Sequence, residues 1–198
     1  MWTRELSSGL EAAKCRGRII SYLKGAGLDI GCGNEKIVST AIGVGASGSA
    51  IDLHLDLSSN DSLAMFSDNF FDYVFSAHCL EDFYATEAVL RQWWRVIRPG
   101  GHLLIYTPDP DYYPRIGTDG CNPTHKRDLY WQDVWKILKG FGNAKKVNAS
   151  RHNLSNEYSW LLCVRKTYGF YQGRCSDCPY KWNLFRQLWL SITNLFKA

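Results

Sequence analysis

The run Gly27-Leu28-Asp29-Ile30-Gly31-Cys32-Gly33-Asn34 constrains this chain more than any other stretch. Apolar residues that give way to Gly-x-Gly suit a buried parallel strand whose backbone turns sharply at its carboxyl end. The glycines leave main-chain amides unobstructed, so such an edge can receive a ligand. A dinucleotide fingerprint would place a third glycine at residue 36, where this chain has Lys36, and would carry no carboxylate two residues before the first glycine. Asp29 and Lys36 therefore disfavour a nicotinamide oxidoreductase.

Two further segments follow in order. Phe70-Phe71-Asp72-Tyr73-Val74-Phe75-Ser76-Ala77-His78-Cys79-Leu80-Glu81 reads as an apolar strand and the loop after it, and Arg95-Val96-Ile97-Arg98-Pro99-Gly100-Gly101-His102-Leu103-Leu104-Ile105 as a helix end, a tight turn and a strand. In this order and spacing the three segments resemble class I S-adenosylmethionine-dependent methyltransferases, over roughly residues 26–166. The resemblance is nearest to the small methyltransferases found with bacterial surface-polysaccharide genes. It implies an α/β, Rossmann-like fold: a seven-stranded, mostly parallel sheet with an antiparallel C-terminal edge strand and helices on both faces. It also implies S-adenosyl-L-methionine as cofactor. In the family pattern Asp29 and the amides of Gly31 and Gly33 hold its amino-acid end, Asp56 and Leu57 frame the adenine, and Ser76, Ala77 and His78 lie near the sulfonium and the acceptor.

The chain departs from that pattern twice. Gly45 stands where relatives end the second strand with a carboxylate that bridges the ribose hydroxyls; Asp52 could take over, or could itself end that strand. Asp82 stands where close relatives tend to have histidine. These departures keep open a non-catalytic S-adenosylmethionine-binding or scaffold protein of the same fold.

Length and composition set the rest of the frame. A chain of 198 residues, 45% of them hydrophobic, is expected to form one globular domain. Residues 1–168 are assigned to it and 169–198 to a tail with an amphipathic helix. Apolar runs are too short to span a bilayer, and the first twenty residues carry charges throughout, unlike a signal peptide. A cytoplasmic protein is expected, with its seven cysteines as reduced thiols. The formal charge of +4 is scattered, and only Lys145-Lys146 and His125-Lys126-Arg127 cluster, which is weak for a nucleic-acid groove.

Leu6, Leu10, Ala13, Ile20 and Leu23 recur at near-helical spacing behind a Thr3 cap, predicting a covering helix over 4–24. No long helix follows the glycine turn, because Ile37-Val38-Ser39-Thr40 is β-branched and glycines crowd in after it. Strands are expected over 41–45 and 50–56. Leu90, Trp93, Trp94 and Ile97 predict a helix over 84–98, stopped by Pro99-Gly100-Gly101. Residues 108–127 carry too much proline and glycine for regular structure, and a long loop of this kind is expected to line the acceptor site. A helix over 131–138 and strands over 147–150 and 158–166 complete the domain.

A hydroxyl acceptor needs a base, and histidine supplies one near neutral pH. His125 and His78 are the candidates, with Glu81 and Asp109 as carboxylate partners. Tyr112, Tyr113 and Arg115 in the same loop could hold a sugar ring, so a small-molecule or glycan acceptor, methylated at oxygen, is expected. Cys175 and Cys178 would need two more zinc ligands, for which Cys121 and His125 are the only pair, and no metal is expected. In the tail, Trp182, Phe185, Trp189, Ile192 and Phe196 form one stripe. It could pack on its own domain, on a second subunit as a homodimer, or against a membrane surface as a peripheral contact.

Overall fold

The computed structural model describes residues 8–59, 61–151 and 156–168. Thr3, Leu6, the Cys175/Cys178 pair and the whole tail stripe lie outside the described residues. The chain divides into two units at Thr167–Tyr168, and the sheet lies in the first.

That sheet has seven strands in the order β3-β2-β1-β4-β5-β7-β6. They are β1 (Gly27–Ile30), β2 (Ile42–Gly45), β3 (Leu53–His54), β4 (Phe71–Ala77), β5 (Ile97–Pro108), β6 (Ala144–Arg151) and β7 (Ser159–Lys166). The first five are parallel; β7 runs antiparallel to both β5 and β6. The antiparallel C-terminal strand therefore lies one place in from the edge, and β6 forms the edge. Every residue of β1 and β4 is buried, which is why both read as continuous apolar runs rather than alternating ones. The strand order reverses between β1 and β4, so the carboxyl ends of these two strands flank the crevice where open α/β sheets bind ligands.

Among the described residues three α-helices accompany the sheet: α1 (Ser8–Ile19), α2 (Thr86–Val96) and α3 (Trp131–Gly140). The connection after β1 contains no helix, as the β-branched run predicts. α2 ends at Val96 because Ile97 already adopts an extended conformation, before the Pro99-Gly100-Gly101 turn is reached. Its last carbonyls are satisfied from a distance: the Lys166 ammonium donates to Trp94 O at 2.8 Å and to Ile97 O at 2.7 Å. The proline and glycines fall inside β5, where the pairing slips from Phe71↔Ile97 to Tyr73↔His102.

The covering helix differs from its expected register. Ala12, Cys15, Ile19 and Leu23 face the core with Tyr73, Phe75, Ala77, Leu104 and Tyr106, whereas Ile20 is 48% exposed and Ala13 only partly buried. The face rotates because Glu11 is fully buried. A carboxylate there is tolerable only with partners, and it has them: Lys14 pairs with it one turn on, and the Tyr158 amide reaches it at 3.2 Å. The Tyr106 hydroxyl lies 3.1 Å from Glu11 and 2.8 Å from Glu157, which Arg18 also pairs. One phenol thus ties α1 to β5 and to the start of β7. Replacing it leaves two buried carboxylates short of a donor, so Tyr106→Phe should destabilise the domain by about 1–3 kcal/mol, read from urea unfolding. An unchanged midpoint would show that the carboxylates do not depend on it.

Candidate active site

At the end of β1 the chain turns through Gly31 (φ 78°) and Gly33 (φ 57°), the left-handed region that side-chain-bearing residues avoid. A Cβ on Gly31 would also stand 2.6 Å from Cys79 Cβ, so this glycine lets the loops after β1 and β4 touch. The Gly31 amide donates to Val44 O at 2.7 Å. That bond joins the start of the turn to β2. The Gly33 amide finds no acceptor among the described residues, and the space that a Cβ on Gly33 would take is open.

Under the turn lies Asp29, 1% exposed, with its carboxylate accepting the Ile37 amide at 2.6 Å. That bond folds residues 31–37 back over the strand end in place of the missing helix. Asp29, Gly31, Cys32, Arg16, Lys36 and Ile37 help to line one cleft that opens to solvent. Burial pushes the Asp29 carboxyl up to about 7, against the opposing pull of the Ile37 amide, Lys36 and Arg16.

The far side of the turn is closed by glycine against glycine. Gly48 approaches so closely that a Cβ there would collide with the Gly33 main chain, and the Ala50 amide donates to Gly33 O at 3.0 Å. β2 ends in Gly45, where an added Cβ would meet Ile51 Cδ1 at 2.7 Å. An apolar side chain thus packs against the end of β2. Asp52 accepts the Gly43 amide at 2.8 Å and the Lys36 ammonium at 2.8 Å, which fastens the loop to the start of β2. Asp56 is capped by Ser58, whose hydroxyl lies 2.6 Å away, while Leu57 beside it is buried.

Beyond β4, Ser76 donates to Ile30 O at 3.0 Å and ties the two strand ends together. His78 is held at φ 49°, with one ring nitrogen 2.9 Å from Ser159 Oγ. A ladder of rings runs from it: Tyr106 to His78 at 5.8 Å, His78 to Tyr158 at 5.5 Å, Tyr158 to Tyr113 at 5.1 Å and Tyr113 to His125 at 5.4 Å. The ladder ends at a second buried acid. His125 Nε2 lies 3.7 Å from Glu81 Oε1, and its Nδ1 lies 4.0 Å from Cys121 Sγ. Thr107 donates to the other Glu81 oxygen. The 108–127 loop is pinned over this acid, because the Lys126 and Arg127 amides both donate to Glu81 O and Thr124 bonds Asp82 at 2.8 Å.

Of the expected pairings, the structure brings together His125 and Glu81. Asp109 instead pairs with Arg151, and Tyr112 lies against the same guanidinium. The sequence reading missed Thr107 as a partner of Glu81, Ser159 as a partner of His78 and Arg16 at the cleft. Cys121 and His125, which it paired as the only further zinc ligands, do lie together. Among the described residues no three His, Cys, Asp or Glu side chains gather to hold a metal ion, and no helix is long and apolar enough to cross a membrane.

Desolvation pushes the His78 ring down to about 3, with the nearby His125 and Lys14 charges adding to it, so His78 is neutral at physiological pH and a weak base. Desolvation pushes Glu81 up to about 8, opposed by its bond to Thr107. Glu81 therefore keeps its proton in the folded state at pH values where the unfolded chain has lost it. Its contribution to stability is full below about pH 4.5 and is lost as pH rises through about 8. Glu81→Gln should flatten the fall in unfolding free energy between pH 5.5 and 8.5, measured by urea titration at each pH. Parallel declines in both proteins would place the titrating group elsewhere.

Residues 28–105 match the family model described as "Methyltransferase domain". No curated protein matches the chain. Among solved structures, a SAM-dependent methyltransferase from Archaeoglobus fulgidus aligns with a TM-score of 0.62 at 19% identity, over 81% of this chain and 95% of that one. The 1,6-didemethyltoxoflavin-N1-methyltransferase of Burkholderia thailandensis, solved with its substrate and S-adenosylhomocysteine, aligns with a TM-score of 0.58 at 14% identity, over 82% and 79%. The [4+2]-cyclase SpnF aligns with a TM-score of 0.56 at 16% identity, over 79% and 82%. The strand order, the glycine turn and the match over β1 to β5 agree: residues 28–105 are similar to a methyltransferase domain, and the sheet has the Rossmann-like fold of solved SAM-dependent methyltransferases.

Proposed function

We propose that this methyltransferase acts on a hydroxyl of a small-molecule or glycan acceptor, in the cytoplasm, as the surface-polysaccharide relatives would. The observation that carries the reading is the pairing of His125 with the buried Glu81 inside a loop that closes over the carboxyl end of β4. The residues at the β1 turn fit the cofactor at its amino-acid end: a buried carboxylate, the Gly31 turn and an arginine share one cleft. Asp29 and Gly33 would hold that end, Leu57 and Asp56 would frame the base, and Ser76 and His78 would border the sulfonium. The ribose falls to Asp52 once its bond to Lys36 is exchanged, since Gly45 offers no side chain. Residues 1–168 carry this chemistry, and the tail stripe would serve a homodimer or a membrane surface.

When bound, the cofactor supplies an electrophilic methyl group. The chain has to align the acceptor and take up its proton. His125 can do the second: its Nδ1 lies 4.0 Å from Cys121 Sγ, a long contact that an acceptor hydroxyl would replace, and its Nε2 faces Glu81. Glu81 orients the ring as a neutral acid at neutral pH and balances the imidazolium charge only where it is ionised, above about pH 8. His78, neutral and bonded to Ser159, positions the acceptor instead.

One observation favours a second reading. Ile51 fills the place beside Gly45, and the same fold supports a cyclase, so binding without methyl transfer is the rival. Radiolabelled S-adenosylmethionine offered with a panel of sugars, small alcohols and amines separates the two. Label on a hydroxylated acceptor is expected; label only on amines overturns the acceptor, and S-adenosylhomocysteine binding without any transfer favours the rival. His125→Ala should cut turnover roughly 10²- to 10⁴-fold while S-adenosylhomocysteine affinity stays unchanged. Full activity in that variant would remove His125 from the mechanism.

A further inference from the structure

The cleft beside Asp29 holds a cation whose hydrogen-bonding capacity is only partly used. Arg16 projects from α1 one turn after Ala12, whose small side chain leaves room for it on the same helix face. Its Nη2 donates to Glu35 Oε1 at 3.0 Å, but its Nε is buried and has no hydrogen-bond partner among the described residues. A buried guanidinium donor left unpaired is costly, and a planar carboxylate is the acceptor that can take Nε and Nη2 together. Lys36, the other cation at the cleft, already bonds Asp52 at 2.8 Å. Glu35 cannot supply the missing acceptor in its present position, and the pair it makes with Arg16 is half in solvent, 39% and 50% exposed, so it exchanges readily.

We propose that Arg16 is the carboxylate-binding residue of the cleft. It takes the carboxylate of the cofactor's amino-acid end through Nε and Nη2 and releases Glu35 as it does so. Opposite charges then face each other across the cleft. Asp29 meets the ammonium and Arg16 the carboxylate, a complement to a zwitterionic α-amino acid that neither residue provides alone. The proposal rests on the reading of this cleft as the cofactor site. It assigns to α1, which the family-model match from residue 28 onward does not include, a direct part in binding.

Calorimetry with two probes tests it on the whole chain. S-adenosylhomocysteine carries the amino-acid end, and 5′-methylthioadenosine has the same nucleoside and thioether without it. Arg16→Met should weaken S-adenosylhomocysteine roughly 10- to 100-fold, the loss of one charge-assisted bidentate contact, and leave 5′-methylthioadenosine unchanged. Glu35→Gln, which frees Arg16 and removes a competing charge, should tighten S-adenosylhomocysteine and again leave the shorter probe alone. Equal weakening of both probes, or unchanged S-adenosylhomocysteine binding in Arg16→Met, overturns the proposal while the cofactor site stands. Binding of neither probe by the unmodified protein overturns the cofactor site and the proposal with it.

Discussion

A carboxyl group 1% exposed to solvent at the end of β1 is the constraint on which the rest of the structure depends. Asp29 can be buried there because the chain doubles back and offers it the Ile37 amide, and the chain can double back because Gly31 adopts a positive φ and leaves room for Cys79. Those two requirements replace the helix that would otherwise follow β1. They also bring the loops after β1 and β4 into contact at the point where the strand order reverses. The cleft, the Arg16 and Lys36 charges around it and the approach of Gly48 to Gly33 all follow from that fold-back.

A second buried acid organises the opposite end of the crevice. Glu81 accepts from Thr107 through its side chain and from two loop amides through its carbonyl, and it faces His125. The rings of Tyr106, His78, Tyr158 and Tyr113 contact one another in tilted and edge-to-face pairs, and the Glu11 and Glu157 carboxylates share the Tyr106 hydroxyl. Side chains at these strand ends are mostly polar or aromatic and buried. Such placement is costly for stability and is characteristic of sites rather than scaffolds. The alignment with a [4+2]-cyclase shows that the sheet by itself does not dictate methyl transfer, so the chemistry has to be argued from these residues.

Much of the fold was legible in the sequence because its signals are local. The apolar runs of β1 and β4, the Gly-x-Gly turn and the β-branched run at 37–40 each act within a few residues, and each appears as expected. What the sequence hid depends on distant partners. Glu11 reads as a solvent-facing charge until Tyr106 and Lys14 are seen around it, which is why the buried face of α1 was misjudged. The end of α2 was assigned to proline and glycine, whereas Lys166, seventy residues away, caps its carbonyls. Asp109 and Glu81 looked equivalent as partners for histidine, and only the third dimension gives one to Arg151 and the other to His125.

The account stands most directly on Asp29 as the anion that receives the cofactor's ammonium group. With its carboxyl pushed up to about 7, Asp29 is close to half protonated at neutral pH, and a bound cation must drive that proton off. Titrating S-adenosylhomocysteine by calorimetry at pH 7, in two buffers of different ionisation enthalpy, measures the proton exchange. The expected result is net proton release on binding, abolished in Asp29→Asn. Binding without proton release, or proton release that survives in Asp29→Asn, would contradict the assignment of this buried carboxyl to the cofactor.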